Sequence, residues 1–289
     1  MAHTKPVAMQ PLFLELGDRV GPIDCARFAL LHRPVGAPRS LIVYAHPFGE
    51  ELNKSRRMVA LQARAMAQAG HAVLVPDLLG CGDSAGDFGD ATWSAWVDEL
   101  VRACDWLRQA SRAWGPNVPA ETQPLTLWGL RAGALLATAA AERLGDVQNL
   151  LFWQPHAVGK TLLQQFLRLH SAGSLVNGNA RGGTPALLAR LAGGDTVEVA
   201  GYRLSPGLAS GLDNARLVPV QGVRRLHWLE LSTREGATPG PMSTETLDAW
   251  RQTGTQVHAQ VLPGTAFWQT AEIEEAPALV EATLALLAA

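Results

Sequence analysis

Cysteine is scarce in this chain. Its 289 residues hold three, Cys25, Cys81 and Cys104, odd in number and far apart. That excludes a disulfide framework and reads as free thiols in a reducing compartment. Surplus charge is missing too. The formal net charge is −2 and no block of Lys or Arg occurs, which argues against a nucleic-acid partner. No apolar run reaches the ~18 residues of a membrane helix; the longest, residues 132–141, ends in Glu142-Arg143. Residues 1–20 lack the basic-then-apolar order of a secretion signal. There is no internal repeat and no low-complexity tail. No His, Cys, Asp or Glu cluster has metal-ligand spacing. The expectation is a cytoplasmic protein with no metal, no cofactor and no transmembrane segment.

What remains is an ordinary globular composition, 47% hydrophobic and 17% charged, large enough to bury a core without staples. Residues 11–15 and 25–32 read as an antiparallel strand pair. Residues 40–45, 71–76, 125–128, 149–153, 226–231 and 256–262 are short apolar runs of the buried-strand type. Helical patterns over 52–69, 93–114, the stretch after residue 131, 243–252 and 276–287 fall between or after them. This alternation implies a mainly parallel sheet with helices on both faces, an α/β class. It pauses between 154 and 216. There an amphipathic helix near 160–170, a Gly/Asn-rich break over 173–183, a short helix and a hairpin over 197–204 read as an inserted lid. The expected division is a core of 1–154 and 217–289 with a cap of 155–216.

The centre of the chain is the run after Trp128: Gly129-Leu130-Arg131-Ala132-Gly133, leading into an Ala/Leu-rich helix. Strand, glycine-flanked turn and helix form the layout of a nucleophile elbow, Gly-x-Ser-x-Gly. Here arginine takes the serine's place. Two further loops fit the same scheme: His46-Pro47-Phe48-Gly49 after an early strand, and Asp77-x-x-Gly80-x-Gly82-x-Ser84 after the next. In order and spacing the three loops resemble the α/β-hydrolase superfamily over nearly the whole chain.

Finer detail resembles one subgroup, the exosortase A system-associated hydrolases, type 2. The residues that carry this are Trp128-Gly-Leu-Arg131-Ala-Gly133, Trp153-Gln-Pro155 with Gly159-Lys160, Gln165-Phe-Leu-Arg-Leu169, Val199-Ala-Gly-Tyr202 with Leu204-Ser-Pro206, and Phe267-Trp-Gln-Thr270 with Glu272-Ile273. The resemblance implies a bacterial protein encoded near exosortase and exopolysaccharide-biosynthesis genes. The hydrolase name follows the fold and implies no particular reaction.

A serine hydrolase needs nucleophile, acid and histidine base in that chain order. The nucleophile place is Arg131, and a guanidinium offers five donors and no acceptor. The acid place, after the strand ending near 231, offers Glu235; the base place falls on Ala266. Losing nucleophile and base together is hard to repair, because such residues act as a unit. Oxyanion donors are still expected: the Ala132 N–H, and Phe48 because Pro47 has none. Arginine at a helix N-terminus opposes the dipole unless an anion joins it. Two readings follow. Arg131 and the elbow amides hold a carboxylate or phosphate, or Arg131 pairs internally with Glu50, Glu51 or Glu235.

Other candidates surround the elbow. Cys81 is a substitute nucleophile or a space-filler, and Ser84 a nucleophile or a turn cap. His46 beside the pocket is a ligand donor or a structural hydrogen-bonder, His156 after Trp153-Gln-Pro155 is a ligand donor or base reaching the site from the lid side, and His258 reads as a surface or packing residue. Trp128, Trp153 and Phe267-Trp268 line an apolar pocket for an acyl chain, or pack the core. The amphipathic stretch 162–169 covers the pocket or rests on a partner. Two functions stay open. One is a non-catalytic fold member that binds an anionic or acyl ligand, or a protein of the exosortase pathway. The other is a hydrolase or acyltransferase on esters or thioesters with a rearranged site.

Overall fold

The computed structural model describes residues 8–18, 23–114, 123–176 and 183–288. In chain order the strands are β1 (Ala8–Glu15), β2 (Ala26–Arg33), β3 (Leu41–Ala45), β4 (Ala72–Pro76), β5 (Leu125–Leu130), β6 (Asn149–Trp153), β7 (Val197–Val199), β8 (Tyr202–Leu204), β9 (Arg225–Ser232) and β10 (Gln256–Pro263). The helices are α1 (Glu50–Gln68), α2 (Trp93–Ser111), α3 (Ala132–Leu144), α4 (Gly159–Val176), α5 (Thr184–Ala192), α6 (Pro206–Asn214), α7 (Pro241–Gln252) and α8 (Pro277–Ala288). An 8-stranded sheet runs β1-β2-β4-β3-β5-β6-β9-β10. The β1–β2 and β2–β4 pairs are antiparallel and every pair from β4 to β10 is parallel.

The central strands are apolar throughout because both sheet faces are covered. Every residue of β3 and of β5 is buried. On one face Val43, Leu127 and Phe152 pack with Trp96 and Leu100 of α2 and Leu135 and Leu136 of α3. On the other, Ile42, Trp128, Leu130 and Trp153 pack with Met58 of α1 and Leu279 of α8. The chain runs from β3 out to β4 and back past β3 to β5, so strand order reverses there. Parallel α/β sheets bind ligands at the carboxyl ends of strands flanking such a reversal.

Between the adjacent strands β6 and β9 the chain leaves the sheet and forms α4, α5, the β7–β8 pair and α6. The excursion is tied at its base, where Gly159 N–H donates to Ala215 O and Leu217 N–H to Ala157 O. The spacing predicts a break from 173, but α4 continues through Gly173 to Val176; residues 177–182 of that break lie outside the described residues. The sequence reading has no helix at α6. Ser205 caps it by accepting from Leu208 N–H, and Pro206 opens it, the usual N-terminal chemistry. α1 starts at Glu50 rather than at residue 52, and this brings Glu51 over the elbow. Among the described residues no helix is long and apolar enough to cross a membrane.

Candidate functional site

The elbow is built by its two glycines. A Cβ on Gly133 would sit 2.0 Å from Ala45 O, and one on Gly129 would sit 2.5 Å from Ala134 N. Strand β3, strand β5 and the first turn of α3 therefore close to distances only a bare backbone tolerates. Arg131 between them has φ 56° and ψ −116°, a region strained for any side-chain-bearing residue. It is held there by Arg131 N–H donating to Trp153 O at 3.0 Å and Ala134 N–H to Arg131 O at 3.1 Å.

The Arg131 side chain turns into the protein and is 5% exposed. Its Nη2 donates to Glu51 Oε1 at 3.0 Å and to Gln165 Oε1 at 3.1 Å, and its Nε to Glu51 at 3.2 Å. Its Nη1 donates to His156 Nε2. The guanidinium carbon lies 5.6 Å from the centre of the Trp268 ring. Glu51 sits in the first turn of α1, where the helix dipole favours a carboxylate. Since arginine has no acceptor, His156 accepts through Nε2 and carries its proton on Nδ1. Burial, and then the Arg131 charge, lower the His156 pKa to about 4, so the ring is neutral at neutral pH. A lattice of four side chains, Arg131, Glu51, Gln165 and His156, thus fills the space at the tip of the elbow.

Behind the lattice, among the described residues, neither the Ala132 nor the Phe48 amide makes a hydrogen bond. His46 is buried, its Nδ1 2.8 Å from Pro47 O and its ring edge-on to Trp96 at 5.1 Å. Burial lowers its pKa, and among the described residues its Nε2 has no partner. Ser84 is committed to its loop: its hydroxyl donates to Asp77 O at 2.5 Å and accepts from Phe28 N–H at 2.9 Å. Cys81 is buried, and burial together with the Asp77 and Glu99 charges pushes its thiol pKa far up, the opposite of what a thiolate nucleophile needs.

Glu235 is exposed in the turn after β9, and the carboxylate that engages Arg131 is Glu51. Ala266 packs half-buried beside Phe267; the residues of its loop that reach the lattice are Trp268 and Gln269, whose Nε2 donates to Glu51 Oε1 at 3.4 Å. His258 lies on β10 and stacks on His227, ring centres 5.6 Å apart. Among the described residues no three His, Cys, Asp or Glu converge as a metal site requires.

A crevice of about 570 Å³ opens above Glu51, lined by Phe48, Phe166, Tyr202 and Trp268 together with Glu50, Lys54, Gln165 and Gln269. For Trp128 and Trp153 the fold corrects the pocket-lining reading in favour of core packing. Both are fully buried on the α1/α8 face, and Trp153 Nε1 donates to Thr283 Oγ1 at 3.0 Å. Strand alternation sends them below the sheet rather than to its end. Gln165 and Tyr202 enter the sequence reading only through the resemblance. The residue-level signal for Gln165 is faint: Gln164 and Gln165 stand together between Leu162-Leu163 and Phe166-Leu167 on an amphipathic helix.

Comparison with known proteins agrees with this architecture. Residues 29–149 match the model of the family described as X-Pro dipeptidyl-peptidase (S15 family). No curated protein matches the sequence. The structure is similar to Est1E from Butyrivibrio proteoclasticus with ferulic acid bound, at 16% identity and TM-score 0.66, over 96% of this chain and 98% of that one. It is similar to a highly thermostable carboxyl esterase from Bacillus coagulans in complex with glycerol, at 14% identity and TM-score 0.59, over 97% and 98%. XC6422 from Xanthomonas campestris, an α/β serine hydrolase without lid, aligns at 18% identity and TM-score 0.50, over 91% and 88%. The chain has the α/β-hydrolase fold, with arginine at the tip of its elbow.

Proposed function

We propose that this protein is a non-catalytic member of its fold that binds a small ligand in the crevice above Glu51. The observation that carries the reading is the engagement of Arg131. Acyl transfer needs an atom with a lone pair to attack and a base to take its proton. Arg131 has donors only, and the imidazole that reaches it, His156, already accepts a hydrogen bond from it. Of the ligands suggested by sequence, an anion loses its chief support because Glu51 neutralises Arg131. A ligand with apolar surface keeps its support from the aromatic walls. The excursion over residues 155–216 serves as the cap of this site, since α4 and the β7–β8 pair supply Gln165, Phe166 and Tyr202 to the crevice. The exosortase and exopolysaccharide setting, and a cytoplasmic location, rest on the sequence resemblance and the free thiols.

The competing reading is a hydrolase or acyltransferase with a displaced nucleophile, and the esterases of like fold are what support it. Hydrolysis of a chain-length series of aryl esters and thioesters decides between the two, with purified parent protein beside Arg131→Ser and Cys81→Ala. The expected result is no turnover above buffer in any of the three. Turnover in the parent that Cys81→Ala abolishes would overturn the proposal.

A further inference from the structure

We infer that the amino ends of β9 and β10 form a second binding site, for a phosphate-type oxyanion, apart from the crevice. Arg225 and Gln256 open the two strands, while the crevice draws on the loops after β3 and β10. The two share no residue.

Strand register sets the site. Arg225 stands opposite Gln256, and His227 opposite His258. Residues two apart along a strand share a face, so the four side chains rise from one face in a frame of about 5 by 7 Å. With Leu286 of α8 beside them they line a hollow of about 170 Å³. That is smaller than the ~300–1,000 Å³ of sites for drug-sized ligands, and it suits an ion. Arg225, Gln256 and His258 are exposed and make the rim; His227, 3% exposed, makes the floor.

Charge selects an anion. The lining holds one guanidinium, two imidazoles and no carboxylate. Among the described residues the Arg225 guanidinium makes no ion pair and no hydrogen bond. Burial, then the charges of His258 and Arg225, lower the His227 pKa to about 4, and no carboxylate opposes them. Like charges on facing positions of neighbouring strands repel, and such breaks of local pattern concentrate at functional sites. The last turn of α8, which supplies Leu286, brings the negative end of a helix dipole, about half a charge. The full charge of the Arg225 guanidinium outweighs it. The same guanidinium repels a metal cation that two imidazoles would otherwise attract.

Donor count selects the class of anion. The guanidinium carries five donors, the Gln256 amide two, and each imidazole at least one in any protonation state. These exceed what the two oxygens of a carboxylate take up, and a phosphate has more acceptor oxygens to meet them. Arg224, also without an ion pair among the described residues, joins Arg225 and Gln256 in an adjoining groove of about 490 Å³. That groove has room for the organic part of a phosphate monoester.

The test is an NMR titration of the whole chain that follows the His227 and His258 rings. The probes, added separately, are inorganic phosphate, phenyl phosphate, acetate and Zn²⁺. Arg225→Gln removes the guanidinium, and Arg234→Gln, exposed in the turn after β9, removes an equal charge elsewhere. Both rings are expected to shift with phosphate, at a Kd on the order of 1 mM, and acetate to bind more weakly. Arg225→Gln should weaken phosphate about tenfold, the weight of one charge-assisted hydrogen bond, and Arg234→Gln should leave it unchanged. Phenyl phosphate binding tighter than phosphate, by a margin that Arg224→Gln removes, identifies a monoester; equal affinities identify the free ion. Equal weakening by Arg225→Gln and Arg234→Gln would reduce the effect to net charge and overturn the inference. Shifts with Zn²⁺ and none with phosphate would overturn it as well, as would no shift with any probe.

Discussion

Arg131 combines two opposing local costs. Its backbone sits at φ 56° and ψ −116°, a conformation that costs about 1–3 kcal/mol for a residue with a Cβ. Its side chain, 5% exposed, bonds Glu51, which is 20% exposed. Removing the guanidinium leaves Glu51, among the described residues, with Gln269 as its one side-chain hydrogen-bond partner. Arg131→Ala is therefore expected to lower stability by about 1–3 kcal/mol, less than for a fully buried pair because Glu51 still meets water. Arg131→Gly loses the same side chain but relaxes the backbone, and should be about 1 kcal/mol more stable than Arg131→Ala. Urea midpoints of the two variants measure the difference. A glycine variant no better than alanine would mean that the elbow stores no strain.

At the scale of elements, the site depends on how closely α3 approaches β3. Gly133 is where the helix meets the Ala45 carbonyl. A methyl group there overlaps backbone rather than a movable side chain, so α3 must shift away from the sheet. Gly133→Ala is expected to cost about 3 kcal/mol or more, toward the upper end for overpacking, read as a drop in denaturant midpoint. It would also displace Arg131 from Glu51. An unchanged midpoint would show that the contact has slack. The same element logic explains Glu51. A helix starting at Glu50 places two carboxylates in its first turn, where the dipole supports them, and one of them faces the elbow.

At the scale of the whole molecule, buried histidines make stability depend on pH. Burial is the first cause lowering His32, His156 and His227 to about 4, from the ordinary 6.5. His46 and His71 are lowered as well, again mainly by burial. Below the ordinary value the unfolded chain takes up protons that the folded chain refuses, so unfolding is linked to proton uptake. These groups contribute their stability in full above pH 6.5, and it is lost as pH falls toward 4. Thermal melts between pH 7.5 and 4.5 should show a falling midpoint through that window. His32→Leu, at a fully buried position, should flatten the dependence. A midpoint that is level across the window would contradict the assignment.

Residue order alone was enough for the layered α/β class, the strand runs and the elbow. Each depends on local periodicity and on glycines that the backbone requires wherever it turns this tightly. The absence of serine at the elbow was likewise plain from Arg131. The partner of Arg131 was not legible. Glu50, Glu51 and Glu235 stand equal as carboxylates in a sequence, and only the packing of α1 against the elbow brings Glu51 within 3.0 Å. Trp128 and Trp153 show the same limit from the other side. The sequence reading sets both at strand ends, but β5 continues to Leu130, and the sheet's pleat decides that they face α1 and α8 rather than the crevice. The crevice is a non-local object. Its walls come from the loop after β3, from α1, from α4, from β8 and from the loop after β10, segments that only tertiary folding brings to one place.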